Sequence, residues 1–415
     1  MIAFITYFVF LISLVHVFLF AYNRVLLCLS PSAWKLPLHY AWFVLSVLIP
    51  GVLVLVFYNS EEVQSALNWE PVAEAKTLFV IMVASIAFLG TRGIIWLQER
   101  FFVERPQALM DEKISRPAMP SVASALPRPL RVFETTGDLV LTEREIAVTG
   151  LAPAFDGLTI AQVSDIHFGA RLEMENYLEA VRELVAGLQA DIVVFTGDFV
   201  DRRKDIVRAV EYHSRFRGRL GTLCVLGNHD YWTRPDRIFE ELGKTSIKWL
   251  GGGERRTLKR HGRRLIFTGT DAPWDGAKAD FDRTIRRGTG DCVVLLSHTP
   301  DNAPRAARAG ASLILSGHNH GGQICLPVIG PVVVPSKHGL QYSSGLFRVG
   351  ADSLLNVSRG VGVSSGGIRV LCPPEVCLLT LRVSRIEVMV GRAIQAREVF
   401  RPARIEQATG EGFVG

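Results

Sequence analysis

The sequence predicts two parts, an α-helical membrane region over residues 1–104 and, after a Pro-rich linker, an α/β domain of layered sheets. Three observations predict it. In a 415-residue chain that is 48% hydrophobic, the apolar excess is confined to the first hundred positions. Beyond residue 130, short β-branched runs alternate with helix-like stretches, the pattern of a layered α/β architecture. Polar clusters rich in Asp and His close those runs, where open sheets place ligands beyond the carboxyl ends of their strands.

The membrane region reads as three spans. Met1 to Tyr22 carries no charge, matching the ~20 apolar residues that a helix needs to cross a hydrocarbon core. A cleaved signal peptide fits less well, because the run lacks a basic start and is too long. Tyr40 to Tyr58 is uncharged, with Pro50-Gly51 at its middle, a pair that spanning helices accommodate as a kink. Thr77 to Leu97 holds Arg92 near one end, where a long side chain reaches the headgroups. Basic residues are retained on the cytoplasmic side. Arg24 and Lys35 follow the first span, Glu61, Glu62, Glu70 and Glu74 follow the second, and Arg100, Arg105, Lys113 and Arg116 follow the third. This favours an outside N-terminus and a cytoplasmic catalytic domain.

Residues 105–130, with Pro106, Pro117, Pro120, Pro127 and Pro129, read as the linker. The domain then spans 131–392, and a polar tail covers 393–415. Strand runs are expected at Leu158 to Val163, Ile192 to Phe195, Leu223 to Leu226, Val293 to Leu296 and Leu313 to Leu315. Helices are expected at Met174 to Leu188, Asp205 to Phe216, Asp236 to Leu242 and Asn302 to Arg308. The six cysteines show neither zinc spacing nor a disulfide framework, and Cys224 and Cys292 sit in strand-like runs as small hydrophobes. The net charge of +6 suits an anionic leaflet.

Five clusters end the strand runs: Asp165-Ile166-His167, Gly197-Asp198, Gly227-Asn228-His229-Asp230, Ser297-His298 and Gly317-His318-Asn319-His320. A lone Gly-Asp or Ser-His means little. Asp165/His167 and His318/His320 are sharper, because residues two apart on an extended chain point the same way. Half of the chain's ten histidines fall in these clusters. Imidazole with carboxylate suits divalent manganese, iron or zinc.

In this order the array resembles the calcineurin-like metallophosphoesterase family, whose pattern is D-x-H, G-D, G-N-H-[DE], a later His and G-H-x-H. The resemblance covers roughly Leu130 to Val383. It implies a four-layer α/β/β/α domain with two metal ions at the strand ends. Carried over, Asp165, His167, Asp198 and His320 would hold the first ion, and Asp198, Asn228, His298 and His318 the second, with Asp198 as bridge. His229 would contact the phosphate and protonate the leaving oxygen. Asp230 would either orient His229, as carboxylates behind a site do, or cap a helix. Two metals lower the pKa of bound water and clamp the entering and leaving oxygens.

Ser164 to Gly169, His320-Gly321-Gly322-Gln323, Ser358-Arg359-Gly360 and Pro373-Pro374-Glu375 are similar to a membrane-associated subgroup. That subgroup includes transmembrane proteins with a metallophosphoesterase domain and hydrolases of UDP-2,3-diacylglucosamine, a lipid A precursor. The resemblance implies a bacterial plasma membrane and a lipid-linked phosphodiester or pyrophosphate as substrate. A tethered phosphatase of phosphoproteins or nucleotides is the alternative, and a scaffold without catalysis is disfavoured by the complete ligand set. Arg359 is a candidate phosphate contact. Arg255, Arg256, Lys259, Arg260, Arg263 and Arg264 form either a solvated hairpin or a lipid-headgroup contact. No nucleic-acid partner is expected, since no aromatic residues interleave these charges.

Overall fold

The computed structural model describes residues 110–384, except 123, 125, 171–173, 277–278, 286–287, 289–290, 327–329, 332–333 and 365–366. The three expected spans and the polar tail lie outside the described residues. Among those described, no helix is long and apolar enough to cross a membrane.

Two sheets carry the domain. The first contains β1 (Met110–Ser115), β2 (Val140–Val148), β3 (Thr159–Val163), β4 (Ile192–Thr196), β5 (Gly221–Val225), β6 (Ile247–Trp249) and β15 (Glu375–Val383), in the order β1-β2-β15-β3-β4-β5-β6. The second contains β7 (Gly252–Arg260), β8 (Arg263–Thr270), β9 (Cys292–Ser297), β10 (Leu313–Ser316), β13 (Gly345–Val349) and β14 (Ser353–Val357), in the order β13-β14-β10-β9-β8-β7. β11 (Cys325–Leu326) and β12 (Gly330–Pro331) form a small hairpin beside them. The strands that bear the clusters, β3, β4 and β5 in one sheet and β9 and β10 in the other, pair in parallel. Such strands, covered on both faces, read as near-continuous apolar runs, which is why each was visible in the sequence.

Alternation within these runs sorts the core. Ile160, Ile192, Val194 and Leu223 of the first sheet meet Leu265, Phe267, Val294 and Leu315 of the second in an apolar layer between the sheets. The alternate residues Ala161, Val163, Val193 and Phe195 face outward. They pack against α1 (Glu175–Gly187), α2 (Ile206–Ser214) and Ile238 and Leu242 of α4 (Pro235–Leu242). Val293, Leu295 and Ile314 face outward from the second sheet against α5 (Phe281–Thr284) and α6 (Ala303–Arg308). Period-two alternation therefore assigns each strand residue to one of two apolar layers.

Near the site end, polar side chains replace the apolar ones between the sheets. Gln162 donates to Ser316 O (2.9 Å) and Thr196 Oγ1 (3.2 Å), and Asn356 donates to Gln162 Oε1 (2.8 Å). Arg144 donates to Asn356 Oδ1 (3.0 Å) and lies 3.5 Å from Glu375. A buried network with each member partnered fixes how the sheets meet more sharply than apolar contact does.

The expected linker is shorter than the prolines suggest, because Met110–Ser115 forms the edge strand β1, antiparallel to β2. Its sequence, Met-Asp-Glu-Lys-Ile-Ser, carries the charges with which edge strands resist pairing with other chains, and these disguise it as linker. Arg255 to Arg264 forms the β7–β8 hairpin, which the register places at the end of the second sheet opposite the clusters.

Candidate metal centre

Each cluster sits where a parallel strand turns into its connection, and the backbone there is unusual. Asp165 (φ 52°), His167 (48°), Asp198 (56°), His318 (69°) and His320 (49°) all adopt left-handed conformations. Such conformations cost about 1–3 kcal/mol each for residues with a Cβ and cluster at functional sites. Two glycines make room. A Cβ at Gly227 would collide with Asp198 Oδ1, and one at Gly317 with Ser164 Oγ and Asp165 Oδ2.

The structure brings all eight expected site residues together. Asp165, His167, Asp198 and His320 offer donor atoms within 4.8 Å of one another, as do Asp198, His298 and His318. Asp198 belongs to both groups: its Oδ2 lies 3.4 Å from His167 Nε2 and 3.3 Å from His298 Nε2. Asn228, at the start of α3 (Asn228–Thr233), places Oδ1 3.0 Å from His298 Nε2. Asp165 Oδ1 is 3.4 Å from His320 Nε2. Both carboxylates are buried, and His229 N donates to Asp198 Oδ1 (2.9 Å).

The donor chemistry fits divalent cations. Each ring nitrogen that faces away from the centre is held. His167 Nδ1 meets Asp201 Oδ1 (2.6 Å), His298 Nδ1 meets Thr196 O (2.6 Å), and His318 Nε2 meets Pro335 O (3.0 Å). The Arg369 guanidinium faces His320 Nδ1 (3.2 Å). The opposite nitrogens converge, with His167 Nε2 and His320 Nε2 2.9 Å apart and His318 Nδ1 3.2 Å from His298 Nε2. At His167, His298 and His318 the outer nitrogen faces an acceptor, which sets the tautomer and aims the inner lone pair, as the groups behind metal-binding histidines do, whereas Nδ1 of His320 faces a donor. Burial pushes the Asp165 carboxyl up, whereas His298, His229 and His167 outweigh burial at Asp198 and hold it well down. The dimetal cofactor follows from this donor set together with the family described below.

Two partners were not legible. Asp201 receives both His167 Nδ1 and His229 Nδ1 (2.8 Å), and its only sequence signal is its spacing from Asp198 in Gly-Asp-Phe-Val-Asp. Asp201 thereby takes the orienting role that was one of the two readings of Asp230. Asp230 accepts from Gly227 N (2.9 Å), Phe199 N (2.8 Å) and Val200 N (3.2 Å), so the capping reading holds. Buried Arg369 donates to the carbonyls of His320, Arg359, Gly360 and Gly362. Arg359, a candidate phosphate contact or a structural residue, has Nε 3.3 Å from Glu375 and donates its backbone N–H to the same carboxylate. Burial lowers His229, but Asp198 and Asp201 outweigh it and push the imidazole up to about 9, a rise that bound cations would oppose.

Residues 158–322 match the family of calcineurin-like phosphoesterases. The chain carries a calcineurin-like metallophosphoesterase domain. The uncharacterized metallophosphoesterase YkuE of Bacillus subtilis is 29% identical over 58% of this chain and 85% of its own length. The transmembrane protein with metallophosphoesterase domain of Danio rerio is 28% identical over 57% of this chain and 56% of its own. UDP-2,3-diacylglucosamine pyrophosphatase LpxG of Chlamydia trachomatis is 29% identical over 54% of this chain and 83% of its own. The chain therefore spans little more than half the length of the Danio relative. The reaction class of the domain is hydrolysis of phosphate esters.

Proposed function

We infer that the protein is a membrane-associated hydrolase that cuts a phosphodiester or pyrophosphate bond in a lipid-linked substrate such as UDP-2,3-diacylglucosamine. The observation that carries the hydrolytic reading is the sharing of Asp198 between two donor groups. Asp165, His167, Asp198 and His320 would hold one ion, and Asp198, Asn228, His298 and His318 the other. Bound metals supply a water of lowered pKa and positive charge on both sides of an in-line displacement.

The remaining work falls to the chain. Neutral His and Asn donors leave the two cations incompletely neutralised by Asp165 and Asp198, so the site attracts an anionic phosphoryl group. His229 lies outside these two groups and clusters instead with His167 and Asp201, and its side chain is 21% exposed. With Nδ1 against Asp201, its Nε2 is the nitrogen that presents a proton to the leaving oxygen. Asp201 positions both His229 and the ligand His167, so that proton donor and metal face share one support. The lipid-linked substrate is supported by the uncharged N-terminal segments and by the relative named as a UDP-2,3-diacylglucosamine pyrophosphatase.

Asp198→Asn tests the reading. Metal content, measured by elemental analysis, and hydrolysis should fall together, with turnover reduced by at least ~1,000-fold as the clamp is lost. Two equivalents of metal with normal turnover would rule out the bridging role.

A further inference from the structure

Nine large apolar side chains are exposed among the described residues, and six of them stand on three chain stretches that backbone bonds hold side by side next to the His320 segment. Leu130, Val132 and Phe133 lie in a short 3-10 turn, Arg128–Phe133. Ile324 and Leu326 follow the His320 segment, and Leu371 precedes Cys372. Backbone bonds hold the three stretches side by side: Leu371 N donates to Phe133 O, Val370 N to Gln323 O, and Cys325 N to Val370 O, each at 2.9 Å. Val132 is 78% exposed. Single exposed hydrophobes are ordinary, but a contiguous group marks an interaction surface.

Topology places this surface at the catalytic end. β15 starts just after Leu371 and runs antiparallel to β3, so its first residues lie beside the carboxyl end of β3 that leads to Asp165. Cys372 Sγ lies 3.2 Å from His320 O. The apolar surface is thus continuous with the wall of the site that carries His320. Arg128 and Arg131, both exposed, stand in the same turn. Apolar side chains flanked by arginines match the junction between acyl chains and anionic headgroups.

We propose that this surface seats the domain on a lipid bilayer, with the His320 side of the metal centre turned toward the headgroups. The proposal rests on the reading of the chain as a membrane-associated hydrolase, since the uncharged runs Met1 to Tyr22 and Tyr40 to Tyr58 keep the domain beside a bilayer. In this pose a phosphate at headgroup depth reaches the metals without its lipid being extracted. The basic β7–β8 hairpin, at the opposite end of the second sheet, faces away.

The test uses the full chain reconstituted in vesicles of equal parts phosphatidylcholine and phosphatidylglycerol, doped with lipid carrying a nitroxide on its acyl chain. Val132→Cys and, separately, His261→Cys at the exposed hairpin tip are labelled with bimane, and the unsubstituted chain gives the background. Quenching at 132 that exceeds quenching at 261 is expected. Equal or stronger quenching at 261, or none at either position, overturns the proposal. As a second arm, Leu130→Asp with Val132→Asp should lower kcat/KM by about tenfold on a vesicle-embedded lipid pyrophosphate, because the tethered domain no longer holds its metal centre turned toward the headgroups. A soluble p-nitrophenyl phosphodiester should be hydrolysed as before. Equal loss on both substrates counts against docking. A wild-type chain that cleaves no lipid-linked phosphate defeats the substrate reading, while the quenching result still decides the surface.

Discussion

The two ends of the sheets place charge in opposite ways. At the carboxyl ends, Asp165, Asp198 and four ligand histidines are buried and tethered from behind, all but His298 in left-handed backbone. At the other end, Arg382 bridges Glu145 (2.7 Å) and Asp156 (3.4 Å), and Arg219 meets Asp191 (2.8 Å), with the arginines half exposed. Exposed pairs keep most of their hydration, so they contribute little and tolerate loss. Buried charges without solvent need partners of fixed geometry, and a donor set that crowds nitrogens against nitrogens is stable only with a cation among them. Convergence of imidazole and carboxylate donors at the strand ends therefore marks chemistry, and loose pairing of exposed charges marks surface.

The largest effect short of losing the bridge is expected at His229. His229→Ala should retain most metal and lose ~100-fold in rate on substrates with poor leaving groups, with a much smaller loss when the leaving group is p-nitrophenolate. A defect explained wholly by metal loss would move His229 into the ligand set. Next comes Asp201→Asn, which keeps the shape but weakens the hold on His167 and His229. About a 10- to 100-fold loss in metal affinity or activity is expected, as for other carboxylates behind metal-binding histidines, and isothermal titration with manganese measures it. An unchanged affinity and rate would leave Asp201 with no part in the site.

Away from the site, His213 is buried, with Nδ1 2.7 Å from Ala209 O and its ring stacked 3.9 Å from Phe199. Burial pushes its pKa down to about 3. The folded state then binds fewer protons than the unfolded one below the ordinary histidine pKa of about 6.5, so this contribution is complete above that value and is lost as the pH falls toward 3. Denaturant midpoints should drop across that window, and His213→Phe should flatten the slope there. An unaltered slope would mean that other groups set it. The smallest change is expected from Arg382→Ala, at most about 1 kcal/mol by urea unfolding. A larger loss would erase the contrast between the two ends.

Much of the catalytic face was legible because its residues are few, chemically distinctive and placed at strand ends. The strands expected at Ile192 to Phe195 and Leu313 to Leu315 extend by one residue each in the structure, and the helix expected at Met174 to Leu188 is Glu175–Gly187. What the sequence hid was support. Asp201 and Arg369 are single residues of common type, and only three-dimensional placement reveals that one holds two imidazoles and the other a set of carbonyls. β1 was hidden for a related reason. An edge strand needs no apolar run, since pairing with β2 alone defines it.

The position of β15 bears on how the protein is made. This strand, Glu375–Val383, lies between β2 and β3 in the middle of the first sheet, although both neighbours are synthesised more than two hundred residues earlier. Until it emerges from the ribosome, β2 and β3 have no partner between them, and Arg369, which braces the His320 loop, has not yet been followed by the strand that anchors its segment. Such long-range pairing is slow to form and leaves strand edges open meanwhile. A nascent chain thus holds every metal ligand before it holds the sheet that aligns them, and the catalytic face closes only once β15 has joined that sheet.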